Sequence, residues 1–541
     1  MRDRSKISTA AYLRSRVGRV CVAIQAETVP EMIERAEAAL SDSSFLEFRL
    51  DSLSGSSDSL GKAVVAIGEF LAAQRSRRGD VVAIATCRRK EFGGSFKGTV
   101  AAEVKALTQA AEAAFSILDL EIESAEELGA DELSTLRDLW VESGAALLIS
   151  FHDFEKHVDP DGVFERIQKF EPDFVKIVTS ALELSDSLSL LTWLKSHADD
   201  AQLVAIAMGE PGIVSRVLSL RAGSAFTFAA PEGAETAPGQ MTARTLKDLY
   251  RIEELDQATR IYGVAGNPIA HSLSPLMQNT AFRRERLNAV YLPLKAENVE
   301  DLVNVIRLLP LSGLSVTMPL KELVLPYLAN MDPLAAKLGA CNTIRLGADG
   351  KLYGFNTDVA GIIRPLEKRI TLKGAQVLVL GAGGVSRAAV YALADKGADV
   401  TVWSRDPGKA SRLAQEAGVK TIERKKIAQT NFDALINGTP CGMAGHEHPL
   451  PLEHGEWEAK LVFDLVYNPL DTPLIEEARL RDVPVIQGVE MFVQQGVRQF
   501  ELWTGKPAPE AEMSRAVLFA LNKAEAARTW VGQAGSMFPA R

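Results

Sequence analysis

Apolar residues in the first part of the chain come in short bursts, separated by stretches in which they recur every third or fourth position. Between residues 19 and 230 eight bursts stand out: "RVCVAIQ", "FLEFRLD", "VVAIATC", "FSILDLEI", "ALLISFHD", "FVKIVT", "QLVAIAMG" and "SAFTFAA". Such runs suit strands of a parallel sheet, which is covered on both faces. The segments between them, such as "PEMIERAEAALSD" and "AAEVKALTQAAEAA", have helical spacing. Eight even strand–helix units predict a closed (β/α)8 barrel rather than an open sheet.

The pattern breaks at "APEGAETAPGQMT", and after a helix, "ARTLKDLYRIEELD", a new strand begins at "RIYGVAG". This places a short N-terminal tail over residues 1–18, the barrel over 19–252 and an α/β unit over 253–370. A second α/β unit, 371–486, opens with "AQVLVLGAGGVSRAAVYALADKGADVTVWSRD". Helices over 487–525, including "MFVQQGVRQFELW", are expected to return to the middle unit, and 526–541 reads as a flexible tail. The fold class is therefore α/β throughout.

Composition adds exclusions. A chain of 541 residues needs two or three domains, and 47% hydrophobic with 24% charged residues is ordinary for a soluble globular protein. The net charge of −10 is spread without a basic stripe, which excludes a nucleic-acid partner. No apolar run reaches the roughly 18 residues of a membrane span. Cys21, Cys87, Cys341 and Cys441 lie far apart and fit no zinc spacing. Reduced thiols and a first strand already starting near Val20 point to a cytoplasmic enzyme rather than one with a transit peptide. Oligomeric state is not encoded in any pattern seen.

Barrel enzymes act at the carboxyl ends of their strands. There the second strand carries Glu47, Arg49 and Asp51, the third ends in Arg88, and the fourth carries Asp119 and Glu121. The fifth ends in His152 and Asp153, the sixth carries Lys176 and the eighth Thr227. A barrel interior disfavours the charged amine, and neutral Lys176 could attack a ketone to give a Schiff base, with His152 moving protons. Arg49, Arg88 and Arg216 could clamp an acidic substrate. Lys176 could equally form a structural ion pair with Glu47 or Glu121, and position alone leaves both readings open.

The segments "EFRLD", "TCR…GG", "ISFHDFEK", "FVKIVT", "MGEPGIVSR" and "TAPGQ" make residues 19–245 resemble the type I 3-dehydroquinate dehydratases. The resemblance implies Lys176 as the Schiff-base lysine and His152 as general acid/base. It implies Glu47, Arg49, Arg88, Arg216, Thr236 and Gln240 as substrate ligands. Two departures stand out: Thr236 replaces the usual Ser, and Phe92 stands where the family has Glu before Gly-Gly, with Glu91 one place earlier.

In the second half a strand runs into "GAGGVSRA" and a helix, with Gly381, Gly383 and Ser386 at the dinucleotide-fingerprint positions. Gly381, Ala382, Gly383, Gly384, Val385 and Ser386 form the candidate phosphate loop. After the next strand come Ser404 and Arg405, then Lys409, where an NAD site would show an acid. A cation there suits the 2′-phosphate of NADP. Lys321 and Asp358 lie in loops otherwise dense in Ser, Thr and Asn, and as a pair they suit proton donation to a carbonyl.

"GNPIAHSLSPLMQN", "GLSVTMPLKE", "ACNTI", "YGFNTD", "INGTPCGM" and "VFDLVYNPLDTPL" make residues 260–510 resemble the shikimate dehydrogenases. That implies a two-lobed dehydrogenase with a Rossmann NADP-binding lobe. Lys321 and Asp358 would be catalytic, and Ser272, Ser274, Thr317, Asn342, Thr357 and Gln495 would bind substrate. Departures are Ser315 for the usual Asn, Leu320 for His and Gln278 for His. Together the resemblances imply a bifunctional shikimate-pathway enzyme: 3-dehydroquinate is dehydrated and the product, 3-dehydroshikimate, is reduced to shikimate. The alternatives are an enzyme of quinate breakdown or a non-catalytic ligand sensor. Retention of Lys176, His152, Lys321 and Asp358 argues against the sensor.

Overall fold

The computed structural model describes residues 10–55, 57–233, 239–270 and 272–537. It divides into two compact units, Met1–Thr259 with Leu292–Pro310, and Arg260–Tyr291 with Leu311–Arg541. Among the described residues no helix is long and apolar enough to cross a membrane.

The first unit holds the expected barrel. Its strands are β1 Val20–Ile24, β2 Phe45–Arg49, β3 Val82–Thr86, β4 Ile117–Glu121, β5 Ala146–His152, β6 Phe174–Ser180, β7 Leu203–Met208 and β8 Thr227–Ala229. They pair in parallel and in chain order, β8 pairs with β1, and the Ala225 amide donates to the Leu203 carbonyl at 2.7 Å to draw β7 and β8 together. Successive side chains alternate between faces, so residues two apart on a strand point into the barrel together. The lower layers are apolar: Phe45, Ile84, Ile117, Leu148, Phe174, Val204 and Phe226 form one buried cluster. Polar side chains are thereby confined to the carboxyl-terminal mouth.

Two expectations about the ends need correction. Within the segment read as a tail, Ala10–Tyr12 and Leu13–Val17 are helical, and Leu13 is fully buried in the floor cluster beside Phe45 and Phe226. The N-terminal opening of a barrel exposes its lowest apolar layer, and this turn covers it. At the other end the helix Glu510–Met537 runs on through most of the segment read as flexible. Met513, Val517 and Leu521 anchor that helix in a core, and the Pro-free, Ala-rich stretch beyond them keeps helical propensity.

Beyond the barrel the chain forms two six-stranded sheets and one two-stranded pair. One contains β9 Arg260–Gly266, β10 Ala289–Lys295, β11 Leu311–Val316, β12 Asn330–Met331, β13 Thr343–Leu346 and β14 Leu352–Phe355, in the order β10-β9-β11-β13-β14-β12. The other contains β15 Gln376–Leu380, β16 Asp399–Trp403, β17 Lys420–Thr421, β19 Ala434–Asn437, β21 Val462–Asp464 and β22 Val485–Ile486; β18 Asn431–Phe432 and β20 Glu458–Ala459 pair separately. Its order, β17-β16-β15-β19-β21-β22, is parallel and reverses beside β15. Ligands of such sheets bind where the order reverses. The helix Gly488–Thr504 packs Val493, Val497 and Phe500 onto the first sheet's core, while its Met491 joins the second.

Candidate active sites

A cavity of about 180 Å3 opens at the barrel mouth, lined by Glu47, Arg49, Arg88, His152, Lys176, Arg216 and Gln240 among others. These seven are the residues assigned to the barrel site by resemblance, apart from Thr236, which lies outside the described residues; Asp51, Asp119, Glu121, Asp153 and Thr227, also placed at the mouth by the sequence, do not line the cavity. By period-two alternation Glu47 and Arg49 share one face of β2, Asp119 and Glu121 one face of β4, and Ser150 and His152 one face of β5. Glu91 sits exposed on the turn Lys90–Phe92 and does not line the cavity, which at this point is bounded by Gly93 and Ser95.

The charges are paired closely. The Lys176 ammonium donates to Asp119 Oδ2 at 3.0 Å, lies 3.6 Å from Glu47 Oε1 and sits 4.2 Å from the Phe228 ring centroid. The ion pair expected with Glu47 or Glu121 thus falls mainly to Asp119, which the fourth strand brings opposite. Arg49 donates twice to Asp51, at 2.9 and 2.8 Å. Arg88 Nε donates to Glu121 Oε2 at 3.0 Å, and both Glu121 oxygens lie 3.1 Å from His152 Nδ1. Arg216 is buried, its Nε has no hydrogen-bond partner, and among the described residues it has no carboxylate partner.

These neighbours tune the acids in opposite directions. Burial would raise Asp119, but Lys176 and Arg88 outweigh it and hold the carboxyl at about 2. Glu121 is lifted to about 7, because burial dominates and Asp119 adds to it while Arg88 opposes. Burial, then Arg88 and Lys176, push His152 well below its usual range, leaving a neutral imidazole able to accept a proton. Burial brings the Arg216 guanidinium down to about 10.

In the second unit a cavity of about 560 Å3 is lined by Ser272, Ser274, Thr317, Lys321, Asn342, Asp358, Val385 and Gln495. Lys321 Nζ donates to Asp358 Oδ2 at 2.7 Å, and Asn342 Nδ2 donates to Asp358 Oδ1 at 2.8 Å. Thr357 does not line this cavity. Its amide donates to Asn342 Oδ1 at 2.8 Å, which fixes the amide that in turn holds Asp358. Leu465, Tyr467, Met491 and Phe492 form an apolar wall. Ser315 also lines the cavity, tied to the Tyr291 hydroxyl at 2.6 Å and to Gln499 Oε1 at 2.9 Å.

Beside it runs the phosphate loop. Gly381 has φ +104°, and a Cβ there would lie 2.7 Å from Ser386 Oγ, so the turn needs glycine. Ser386 is fully buried and donates to the Gly438 carbonyl at 3.0 Å. It therefore ties the helix Gly384–Asp395 to the end of β19 rather than facing a ligand, a correction to its reading as a cofactor contact. Cβ atoms at Gly383 or Gly384 would meet nothing within 4 Å, so room for a pyrophosphate remains at the helix start. A separate groove of about 700 Å3 is lined by Trp403, Ser404, Arg405, Thr421 and Ile422 among others. Arg405 and Lys409 are exposed and make no ion pair among the described residues. These residues fit NADP.

The type I 3-dehydroquinase family matches residues 20–257, and the shikimate dehydrogenase substrate binding domain matches 264–344. The shikimate / quinate 5-dehydrogenase family matches 365–440 and the shikimate 5′-dehydrogenase C-terminal domain 488–518. The chloroplastic bifunctional 3-dehydroquinate dehydratase/shikimate dehydrogenase of Arabidopsis thaliana is 30% identical over 515 residues, covering 91% of this chain and 83% of that protein. The chain belongs to the bifunctional 3-dehydroquinate dehydratase/shikimate dehydrogenase family. The NADP-dependent shikimate dehydrogenase of Methanothermobacter thermautotrophicus is 40% identical over 278 residues, covering 49% of this chain and 98% of that protein. A shikimate dehydrogenase structure from Thermus thermophilus, in complex with NADP(H) and shikimate, is 36% identical, covers 48% of this chain and all of that one, and has a TM-score of 0.45.

In this bifunctional dehydratase–dehydrogenase, one-dimensional reading missed two groups. Asp119 and Glu121 stood out as polar strand positions, but not as the partners of Lys176 and His152, because strand register is invisible in one sequence. Ser150 carried no signal at all, being a small residue in an apolar run. In the second site Ser315 stood out only as a departure from the usual Asn, while its partners Tyr291 and Gln499, from segments far apart in the chain, are marked only by their convergence on it.

Proposed function

We propose that Lys176 condenses with the ketone of 3-dehydroquinate and that His152 moves the protons of the dehydration. The observation that supports this best is the charge pattern of the mouth: Arg49, Arg88 and Lys176 each have a carboxylate partner, and Arg216 has none among the described residues. A substrate carboxylate would complete the set at Arg216, placing the ring between Lys176 and His152. Glu47, Arg49, Arg88 and Gln240 then meet its hydroxyls, with Thr236 assigned on resemblance alone. The iminium on Lys176 withdraws electrons, neutral His152 takes the proton from the adjacent carbon, and the imidazolium returns it to the departing hydroxide.

In the second site Lys321 hydrogen-bonds the carbonyl oxygen and supplies the proton, while Asp358 orients its ammonium. Ser272, Ser274, Thr317 and Gln495 hold the polyhydroxylated ring, and Asn342, held by Thr357, braces Asp358. NADPH supplies the hydride when bound. The backbone from Gly381 to Val385 cradles its phosphates, and Ser404, Arg405 and Lys409 select the 2′-phosphate. We divide the chain as barrel 19–252, substrate lobe 253–370, cofactor lobe 371–486 and returning helices from 487.

Borohydride added during turnover of 3-dehydroquinate tests the first site. It should fix substrate on Lys176, and Lys176→Ala should lose trapping and dehydration while still reducing 3-dehydroshikimate with NADPH. Trapping on another lysine would overturn the assignment.

A further inference from the structure

Between Lys176 and His152 lies a buried chain of polar side chains with no role in the reading above. Strand register makes Glu121 the Cα partner of Ser150, and Ser150 the Cα partner of Lys176, across β4, β5 and β6. From one catalytic residue to the other the contacts are unbroken. Lys176 Nζ donates to Asp119 Oδ2 at 3.0 Å. Ser150 Oγ lies 2.5 Å from Asp119 Oδ1 and 2.9 Å from Glu121 Oε2. Glu121 lies 3.1 Å from His152 Nδ1. Asp119, Glu121 and Ser150 are all at most 2% exposed, so no bulk water interrupts the path.

The middle of the chain carries a constraint. A hydroxyl has one proton, so Ser150 cannot donate fully to both carboxylates. Close approach to both is satisfied when one carboxyl carries a proton of its own and donates to Ser150 Oγ. Glu121, raised to about 7 beside Asp119 at about 2, is the one that holds it. Arg88 also touches both carboxylates, at 3.7 Å and 3.0 Å, but a guanidinium keeps its protons. Other charged or titratable groups facing the chain are Cys21 from β1, Glu47 and Arg49 from β2, and Arg216 across the cavity. None of them links Asp119 to Glu121.

We propose that Asp119, Ser150 and Glu121 form a proton relay that couples Lys176 to His152 during formation and hydrolysis of the Schiff base. The proposal rests on the assignment of Lys176 and His152 above. Condensation of an ammonium with a ketone gives an iminium and water, with one positive charge before and after. Two protons must move from nitrogen to oxygen. The first leaves Nζ for Asp119, freeing the lone pair that forms the N–C bond. Shifts through Ser150 and Glu121 to Nδ1 release a proton from Nε2 of His152 to the carbonyl oxygen, giving the carbinolamine. The second passes from nitrogen to the now bare Nε2 of His152 and on to the hydroxyl, as the nitrogen lone pair forms C=N and the C–O bond breaks to release water; hydrolysis reverses both transfers and restores the Nε2–H tautomer. Asp119, Ser150 and Glu121 are positioning residues here, because each acts through Lys176 or His152.

Ser150→Ala cuts the relay and leaves both carboxylates. In the full chain its rate of borohydride-trappable adduct formation should fall about 10²-fold, with kcat for dehydration reduced and KM for 3-dehydroquinate little changed. Ser150→Thr, which keeps the hydroxyl, should recover most of the rate. Trapping by Ser150→Ala at the original rate would overturn the relay. So would equal slowing in Ser150→Ala and Ser150→Thr, the sign of a packing effect. Failure of the unsubstituted enzyme to trap at Lys176 would instead overturn the underlying lysine assignment.

Discussion

The Lys176 ammonium is buried, yet it has Asp119 at 3.0 Å, Glu47 at 3.6 Å and the face of Phe228 at 4.2 Å. Asp119 is the hydrogen-bond partner of this amine, which is why the groups behind Asp119 matter. Glu103 is a different kind of buried acid. It lies behind the mouth, fully buried, accepting from Ser124 at 2.7 Å with Arg89 at 3.6 Å. Burial, its largest influence, lifts it from 4.5 to about 7. A raised carboxyl binds its proton more tightly in the folded chain, so its contribution is complete below about pH 4.5 and lost as pH rises through about 7. The loss should be on the order of 1–3 kcal/mol. Glu103→Gln should flatten the decline in barrel stability between pH 5 and 8, read from urea midpoints. The same slope in both proteins would place the titration elsewhere.

At the scale of elements, the turn Leu13–Val17 seals the barrel floor through a single fully buried leucine. Loss of that side chain leaves a cavity among Phe45, Phe226 and Ala225 that rigid barrel strands cannot collapse to fill. Leu13→Ala should therefore cost the barrel about 2–5 kcal/mol, seen as a lower urea midpoint, with the dehydrogenase activity unaffected. A change under about 0.5 kcal/mol would mean the turn can leave the floor without consequence. The helix Gly488–Thr504 has a comparable fixing role in the second unit. Val493, Val497 and Phe500 lock its rotation in the core, and that rotation aims Gln495 into the substrate cavity.

For the whole molecule, the central question is whether two chemistries on one chain can be lost separately. Lys321 and Asp358 form a 2.7 Å pair in the second unit, and Lys176 and His152 lie in the first. Lys321→Ala should lower kcat for reduction about 10²–10⁴-fold, with a smaller effect on KM, because the proton is needed in the transition state. Asp358→Asn should lose similar activity, and the double variant should be little worse than either single one if the pair acts as a unit. Fed 3-dehydroquinate and NADPH, such variants should accumulate 3-dehydroshikimate at an undiminished rate. Fully additive losses would show that the pair does not act as one, and slowed dehydration would show that the two halves depend on each other.

The sequence by itself determined the periodic features and the residues whose chemistry is distinctive wherever they stand. Eight apolar runs specify eight parallel strands, because strands covered on both faces need unbroken apolar content. Lys176 and His152 could be singled out as ionisable groups in apolar strands, Lys321 and Asp358 as the ionisable pair in loops otherwise dense in Ser, Thr and Asn, and Arg405 as a cation where an NAD site would show an acid. What depends on register and on long-range convergence became visible only in the tertiary structure. One residue of slip along β4 would turn Asp119 and Glu121 away from Lys176, and nothing local in "FSILDLEI" states which neighbour they meet. Ser150 matters only because two carboxylates from the next strand lie within 3 Å of its hydroxyl. Ser386 and Thr357 have the residue type of ligand contacts, but packing turned one toward Gly438 and the other toward Asn342. Side-chain chemistry is local and can be read in order, whereas the partner that gives it a role is set by the fold.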